Sequence, residues 1–251
     1  DIDKLKDILV KIYNHHDTLR LKFRKTKNGW EQYYGRIKDI PFEIIDKKNW
    51  TQKTLNEICT KIQSSLNIEK GPLSRLVWFE GKGLFWVIHH LIVDGVSWRV
   101  LLEDLNTLYN NKALSLKSHS YQAWGKFLEN YDKLEITNEY YRNIPEIKRL
   151  PLEKAPKQHS HIVSFPKGIT KDFIQKAQKA YRTQANDLLL TALVQAVGEY
   201  TDYRLCINLE GHGREILDSN LDLTKTIGWF TSSYPVYLEL SEPNNLDKSI
   251  K

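Results

Sequence analysis

The stretch His89-His90-Leu91-Ile92-Val93-Asp94-Gly95 decides how this sequence is interpreted. Two apolar segments precede it, at 73–79 and 84–88, and a tight turn at 80–83 joins them as adjacent strands. A strong amphipathic helix pattern follows it and continues to Tyr109. The stretch is therefore predicted to be a strand-to-helix turn that places two imidazoles and a carboxylate at the end of a buried strand.

The side chains of this turn suit proton transfer. The pKa of an imidazole lies near neutrality, so His90 at a strand end can act as a general acid or base. Asp94 is expected to be structural, in a buried ion pair with Arg20 as the favoured partner, because an unpaired buried carboxylate is costly and a guanidinium satisfies both oxygens. Gly95 is expected to permit the turn that brings the helix start back towards the strand.

Two other interpretations apply to the same turn. A lone histidine is most often an ordinary core or loop residue, but two histidines, a carboxylate and a glycine together make that less favoured. His90 and Asp94 could instead bind a metal. A metal site needs a third ligand, and the sequence has no HExxH or CxxC set. We therefore predict no metal site.

Composition excludes several classes of function. The net charge of +6 is spread along 251 residues without a concentrated basic stripe, so no nucleic-acid partner is predicted. No apolar run is long enough to cross a bilayer, so no membrane partner is predicted either. Cys59 and Cys206 lie far apart, which favours free thiols in a reducing cytoplasm. Since the sequence has no methionine, even at position 1, we expect a segment of a longer protein.

Helix and strand patterns alternate along the chain and predict an α/β protein with two lobes. The first lobe, 1–150, begins with an amphipathic helix, followed by a hairpin that turns at Asn28-Gly29. A proline-containing segment with little periodicity, 142–160, is the predicted linker.

The second lobe, 151–251, contains the remaining predicted elements. Residues 186–200 are apolar nearly all round, which predicts a central, buried helix with Asn186 or Asp187 as its N-cap. The other predicted elements are a strand at 161–165, a helix at 171–182, a strand at 204–209 and an alternating strand at the end of 228–240.

The turn at 89–95 resembles the HHxxxDG motif of the condensation-domain superfamily, which includes the epimerization domains of nonribosomal peptide synthetases. Residues 96–105, with Trp98, look like that superfamily's continuation into a long helix. Upstream, His15-His16-Asp17-Thr18-Leu19-Arg20 resembles its HHxxLR signature. We assign no catalytic role to His15 and His16, which are imidazoles at a helix C-terminus, where a cation is mildly favoured.

Two later segments resemble epimerization domains in particular. Glu210-Gly211-His212-Gly213-Arg214-Glu215 matches their EGHGRE motif, and residues 226–235 are similar to RTVGWFTxxYP, with Lys225 where arginine is usual. The helix from Asn186 also fits their pattern. Without the resemblance, the first segment would be a polar turn after a strand. Trp229 and Phe230 would simply pack in a core.

The resemblance implies a fold and a mechanism. The fold is a two-lobed sandwich like that of chloramphenicol acetyltransferase, with the second lobe incomplete because the resembled domains are longer. His90 and Glu210 are implied to face each other across a cleft between the lobes. There they would invert the Cα of an aminoacyl or peptidyl thioester by two-base proton transfer. Nine residues are expected to support this site: His89, Asp94, Gly95, Arg20, Trp98, Gly211, His212, Gly213 and Trp229.

The resemblance also implies the partners of this amino-acid epimerase. The domain itself would bind no cofactor, since the substrate is carried on the phosphopantetheine arm of a peptidyl carrier protein domain beside other synthetase domains in the cytoplasm. Two other functions stay open. A condensation domain would use His90 to form peptide bonds, but leaves the segment from Glu210 unexplained. A catalytically inactive lobe would only dock the carrier protein.

Overall fold

The computed structural model describes residues 1–36, 40–46, 49–131, 134–147 and 160–250. The chain divides into two compact units. The first unit consists of Asp1–Tyr131 with Gly211–Ser232, and the second of Asp132–Glu210 with Ser233–Lys251. This division differs from the predicted boundary at residue 150, mainly because 211–232 belongs with the N-terminal part of the chain. Most of the predicted linker, 148–159, lies outside the described residues.

The first unit contains most of the regular structure. Its helices are α1 (Ile2–His15), α2 (Gln52–Ser64), α3 (Gly95–Tyr109) and α4 (Tyr121–Glu129), with 3-10 turns at Asp17–Arg20 and His90–Ile92. Its strands are β1 (Leu21–Thr26), β2 (Gly29–Tyr34), β3 (Phe42–Ile45), β4 (Ser74–Phe79) and β5 (Gly83–Ile88).

Helix α1 forms where the sequence predicts it. The Asp1 carboxylate accepts hydrogen bonds from the backbone N–H groups of Asp3 and Lys4, which caps the first turn. The apolar stripe is buried, and its residues are Leu5, Ile8, Leu9, Ile12 and Tyr13. The backbone becomes extended at His16, which ends the helix.

The sheet that leads to the site has the order β3-β4-β5. β3 runs parallel to β4, and β4 runs antiparallel to β5, with Ser74 opposite Ile88. Leu76 and Val77 of β4 are both fully buried because side chains of a strand alternate between its two faces. Leu76 packs in the core that α1 and α3 cover, and Val77 packs in a second core with Ile62 of α2. The predicted strand pair is confirmed as the centre of this unit.

The described part of the second unit contains six helical segments and two paired strands. In chain order they are α5 (Leu134–Arg142), α6 (Lys167–Asp172), a π-helical turn (Phe173–Ala177), α7 (Gln178–Tyr181), α8 (Ala185–Thr201), β6 (Arg204–Gly211), β7 (Ser232–Glu239) and α9 (Leu246–Ser249). The predicted strand at 161–165 is wrong. Those residues form no regular structure, and Ile162, Val163 and Phe165 are exposed.

Helix α8 is less buried than its sequence predicts. Only Thr191, Val194, Gly198 and Thr201 are buried, and Tyr200 is exposed. In the described part of this unit, α8 packs mainly with residues of β6, of the end of β7 and of the chain after it, while Leu189 and Leu193 remain exposed. The predicted burial on all sides is therefore wrong for this chain.

The start of α8 also differs from the prediction. Its N-cap is Gln184, and the Asp187 carboxylate accepts a hydrogen bond from the Gln184 backbone N–H at 2.8 Å. Asp187 therefore contributes to the cap from the third helical position, as in a capping box. Across the described parts of both units, every helix is too short or too polar to span a membrane.

Candidate active site

The backbone builds the site turn in three steps. His89 continues from β5, and its N–H donates to the Leu73 carbonyl at 2.8 Å. A single 3-10 turn follows, in which the Ile92 N–H donates to the His89 carbonyl at 3.0 Å. Asp94 then becomes the N-cap of α3. The predicted strand-to-helix turn is confirmed.

His89 holds this turn together. Its Nδ1 accepts a hydrogen bond from the Leu91 N–H at 3.2 Å, which requires that nitrogen to be unprotonated. Burial lowers the pKa of His89, and the neighbouring His90 lowers it further. The imidazole is therefore kept neutral as a turn-forming acceptor, which is a supporting role rather than proton transfer.

His90 presents its imidazole to solvent beside an aromatic ring. The His90 and Trp229 ring centroids lie 5.3 Å apart with the planes tilted by 57°. Trp229 is itself 43% exposed, so its indole forms a partly open wall next to the imidazole. This arrangement leaves the His90 ring nitrogens accessible and restricts the positions of the ring.

Asp94 is buried and makes five hydrogen bonds. Its Oδ1 accepts from the Ser97 N–H at 2.8 Å, from the Ser97 hydroxyl at 2.7 Å and from Arg214 Nη2 at 3.1 Å. Its Oδ2 accepts from Arg214 Nη1 at 2.6 Å and from the Phe230 N–H at 3.1 Å. Burial alone would raise the pKa of Asp94, but the hydrogen bonds from Arg214 and Ser97 outweigh it and hold the pKa below 3.8. Asp94 is a fixed anion with a structural role.

The predicted ion pair of Asp94 is confirmed, but its predicted partner is wrong. Arg20 instead donates to the Asp17 carboxylate at 2.6 Å and to the Tyr13 and Asn14 carbonyls at the end of α1. The partner is Arg214, whose side chain is 7% exposed and makes a two-pronged contact with the carboxylate. The sequence contained a signal for this pairing, since Arg214 lies within the quoted segment Glu210–Glu215. However, 120 residues separate Arg214 from Asp94.

Gly213 lets the Arg214 loop approach closely. Its φ is +66°, in the left-handed region, and a Cβ atom there would lie 1.6 Å from the Phe230 carbonyl oxygen. Ser97 completes the contacts around this loop, because its hydroxyl oxygen accepts from the Gly228 N–H at 3.0 Å. The first motif, the Arg214 loop and the segment at 228–230 therefore form one hydrogen-bonded assembly within the first unit.

The two aromatic residues Trp229 and Phe230, in the segment 226–235, have different environments. Phe230 is buried, and the Arg214 guanidinium carbon lies 4.0 Å from the centroid of its ring. This contact adds a cation–π attraction to ordinary packing. Trp229 keeps its side chain exposed next to His90, while its carbonyl accepts from the Tyr121 hydroxyl at 2.8 Å. Packing accounts for Phe230, whereas Trp229 belongs to the surroundings of His90.

Four further predicted support residues are more peripheral. His212 is exposed and its Nδ1 accepts from the Arg214 N–H at 3.0 Å, while Gly211 ends β6. Trp98 packs edge-to-face on Trp86 with centroids 5.7 Å apart. Gly95 begins α3 outside the left-handed region, and an added Cβ would meet no atom within 4 Å. The conformational role predicted for Gly95 is therefore wrong.

Glu210 belongs to the second unit. It lies one residue before the end of β6, and its side chain is exposed. In sequence it is four residues before Arg214, the residue that anchors Asp94. Its catalytic role and its predicted position facing His90 stay predictions.

Among the described residues, one group has the composition of a metal site. Ligand atoms of His15, His16 and Asp104 lie within 4.8 Å of one another. His16 Nε2 and Asp104 Oδ2 are hydrogen-bonded at 2.8 Å, and both side chains are buried. This pair fastens the end of α1 to α3, so a structural contact accounts for the group.

Comparison with known proteins identifies the class that this fold and this turn define. A family model described as "Condensation domain" matches residues 1–251. The chain belongs to the condensation domain family.

Two relatives and one solved structure show in more detail what this chain is similar to. The chain is 35% identical to bacitracin synthase 2 of Bacillus licheniformis, covering 98% of this chain and 10% of that protein. It is 35% identical to gramicidin S synthase 1 of Brevibacillus brevis, covering 98% of this chain and 25% of that protein. The crystal structure of the epimerization domain from the third module of tyrocidine synthetase B is similar with a TM-score of 0.86 and 31% identity, over 100% of this chain and 63% of that one. The chain thus spans less than two thirds of each of these proteins and has the mixed helix and strand fold of this family.

Proposed function

We propose that this chain is part of an epimerization domain that inverts the Cα of an aminoacyl or peptidyl thioester held on a carrier protein. The substrate would be attached through the carrier's phosphopantetheine arm, so the domain itself would need no bound cofactor. Adjacent synthetase domains would supply the loaded carrier and accept the product.

The observation that carries this proposal is the buried pair between Asp94 and Arg214. Arg214 lies in the segment Glu210–Glu215, which resembles epimerization domains in particular, and Asp94 lies in the turn that resembles the whole superfamily. The two-pronged contact at 2.6 and 3.1 Å makes the epimerization-type segment part of the support of the His90 turn. The similarity to a crystallised epimerization domain supports the same assignment.

The chemistry requires two proton-transfer groups. A thioester carbonyl delocalises the carbanion formed at Cα as an enolate, which makes the α-proton removable. Inversion then needs one base that removes the proton from one face and one acid that returns a proton to the other face. We assign these roles to His90 and Glu210. After one inversion their protonation states are exchanged, and exchange with water restores them.

The hydrogen bonds and exposure of the turn residues indicate which of them suits proton transfer. Both oxygens of Asp94 are engaged by hydrogen bonds, and His89 Nδ1 accepts from the backbone, so both side chains help to hold the turn in place. His90 has an exposed imidazole, held next to the Trp229 ring. It is therefore the group of the turn that suits acid–base chemistry.

The test is chiral analysis of product released from a loaded carrier protein. It compares the wild type with His90→Ala and Glu210→Gln in the full-length protein. A general acid or base contributes about 10²–10⁴-fold to rate, so each substitution should slow inversion by at least about 100-fold. Exchange of solvent deuterium into Cα can persist in either variant, because the remaining base still works from its own face.

The matched control is Glu199→Gln, the same substitution at an exposed position of α8 in the same unit. It should leave the inversion rate unchanged. If Glu210→Gln equilibrates D and L product at the wild-type rate, the assignment of that residue is wrong.

Peptide-bond formation is the second candidate, because the matching family model is that of the condensation domain. A condensation domain would use His90 but needs no second base at Glu210. Peptide formation that survives Glu210→Gln, without racemisation of the loaded substrate, would support this alternative. Carrier binding without either reaction would support a docking role instead.

A further inference from the structure

A cavity of about 430 Å³ lies in the first unit. Its walls are the start of β1, the chain on either side of residues 37–39 and the chain that leads into β4. The volume is within the usual range for small-molecule sites, roughly 300–1,000 Å³. The assigned catalytic groups, His90 and Glu210, are not among its lining residues.

Positive charge dominates this cavity. The described residues that line it include four cations and no carboxylate; the cations are Arg20, Lys22, Arg36 and Lys70. Arg20 is paired with Asp17. For Lys22, Arg36 and Lys70, the described part of the chain offers no carboxylate within 4.0 Å. Three cations around one cavity, without a counter-charge among the described residues, create a positive potential that attracts an anion.

The floor of the cavity adds a directed hydroxyl group. Ser74 is 2% exposed, and its oxygen accepts from the Tyr13 hydroxyl at 2.7 Å and from the Trp86 indole N–H at 2.9 Å. Burial raises the pKa of the Tyr13 hydroxyl, which keeps it protonated as a donor. With both incoming bonds made, the Ser74 proton is free to be donated, and it has no acceptor among the described residues. A ligand oxygen in the cavity would satisfy it.

The remaining wall is apolar. Leu19, Leu21 and Leu73 line the cavity and belong to the core of the unit. An anion without an apolar part would leave this wall in contact with water. A ligand with an apolar body would bury that surface, and removing apolar area from water favours binding.

We propose that this cavity is a binding site for a small organic anion, in which a carboxylate or phosphate group contacts Lys22, Arg36 and Lys70 and an apolar body contacts the leucine wall. The site goes beyond the proposed epimerase activity and does not depend on it. It is nevertheless close to the site turn along the backbone, since the Leu73 carbonyl accepts from the His89 N–H and Ser74 pairs with Ile88.

The Trp86 indole is a built-in reporter of occupancy, because it donates to Ser74 on the cavity floor. The experiment is an NMR titration of protein with 15N-labelled tryptophan, using phenylacetate, phenyl phosphate and the neutral analogue phenylacetamide. Each anion that binds should shift the Trp86 indole resonance, assigned with Trp86→Phe. The indole of Trp50, which donates to the Glu80 carbonyl, serves as the internal reference and should not move. The tighter of the two anions identifies whether carboxylates or phosphate esters are the natural class.

Charge-removing variants complete the test. Lys22→Gln and Lys70→Gln should each weaken anion binding by about fivefold, as expected for loss of a solvent-exposed ion pair. The matched control is Lys82→Gln, an exposed lysine in the turn between β4 and β5, which should leave binding unchanged. Equal binding of phenylacetamide, equal weakening by Lys82→Gln, or no Trp86 shift at millimolar anion would overturn the proposal. Loss of inversion in the Glu210 variant would not affect it.

Discussion

At the residue scale, the contacts of Asp94 explain why it is the carboxylate of the turn that is fixed rather than reactive. Both oxygens are satisfied, and Arg214 is almost as buried as Asp94 itself. A buried charge without its partner is strongly unfavourable, because desolvation is no longer offset by attraction. The pair therefore holds the turn and the Arg214 loop together.

Removing one member of this pair should destabilise the protein markedly. We expect Asp94→Ala and Arg214→Ala each to lower the free energy of unfolding by on the order of 3–5 kcal/mol. The double variant should lose much less than the sum, because neither charge is then left unpaired. Urea denaturation measures all three. Lys225→Ala, which breaks an exposed pair with Glu103, should cost at most about 1 kcal/mol. Strictly additive losses at Asp94 and Arg214 would show that the pair is not coupled.

The same carboxylate predicts a pH dependence. Because the pKa of Asp94 is lower in the folded protein than its ordinary value of 3.8, the ionised form contributes stability that is fully present above pH 3.8. That contribution is lost as the pH falls through the lowered pKa. The stability difference between the wild type and Asp94→Asn should thus be constant near neutral pH and shrink as the pH falls below 3.8. Urea midpoints measured across this range would contradict the assignment if the difference grew on acidification.

At this scale the sequence predicted that Asp94 forms a buried ion pair, but it did not predict which arginine is the partner. The burial of a carboxylate between a strand and a helix makes an arginine partner necessary, and this followed from the sequence. Which arginine fills the role depends on how distant segments pack. Arg20 lies in the same half of the chain, but it is engaged by Asp17 and by carbonyls at the end of α1.

At the scale of elements, the two motif glycines Gly213 and Gly95 differ in whether their position could hold a side chain. Gly213 has a φ of +66° and no space for a side chain, since its neighbour is the Phe230 backbone. Gly95 has ordinary helical surroundings and open space. Only Gly213 is needed for the shape of its loop.

Alanine substitution separates these two glycines. Gly213→Ala should cost on the order of 3 kcal/mol of stability, because the loop must move away from Phe230 and a left-handed backbone is strained. Gly95→Ala should change stability by no more than about 0.5 kcal/mol, since alanine is well tolerated in a helix. Thermal and urea denaturation compare them. Equal losses would mean that the loop at 212–214 adapts without cost.

Regular elements followed from the sequence where local signals and burial agree. α1 has a capping aspartate and a clear apolar stripe, and β4 and β5 are apolar strands joined by a three-residue turn. α8 is apolar on more sides than its surroundings cover, and 161–165 pairs with no strand among the described residues. In both cases the outcome depends on tertiary partners, which periodicity does not specify.

At the scale of the whole molecule, the buried hydrophobic residues are unevenly divided. Among the described residues, those of the second unit are Val194, Leu205, Leu240 and Ile250, whereas the first unit contains all the others. Stability follows buried apolar area, so the two units should differ in their resistance to unfolding.

The tryptophans make this difference measurable. All seven lie in the first unit, so tryptophan fluorescence reports that unit alone; they are Trp30, Trp50, Trp78, Trp86, Trp98, Trp124 and Trp229. Amide hydrogen exchange at α8 and β6 reports the second unit. We expect α8 amides to lose protection at a lower urea concentration than the fluorescence midpoint, because few buried contacts hold that helix.

The control is exchange at α1 and α3, whose residues Leu9 and Leu101 are fully buried in the first unit. Their amides should lose protection together with the fluorescence change. Coincident loss of protection in α8, α1 and α3 at one urea concentration would show a single cooperative transition instead. In that case the uneven division of the core would not govern unfolding, and stability changes from Asp94 variants would be shared by both units.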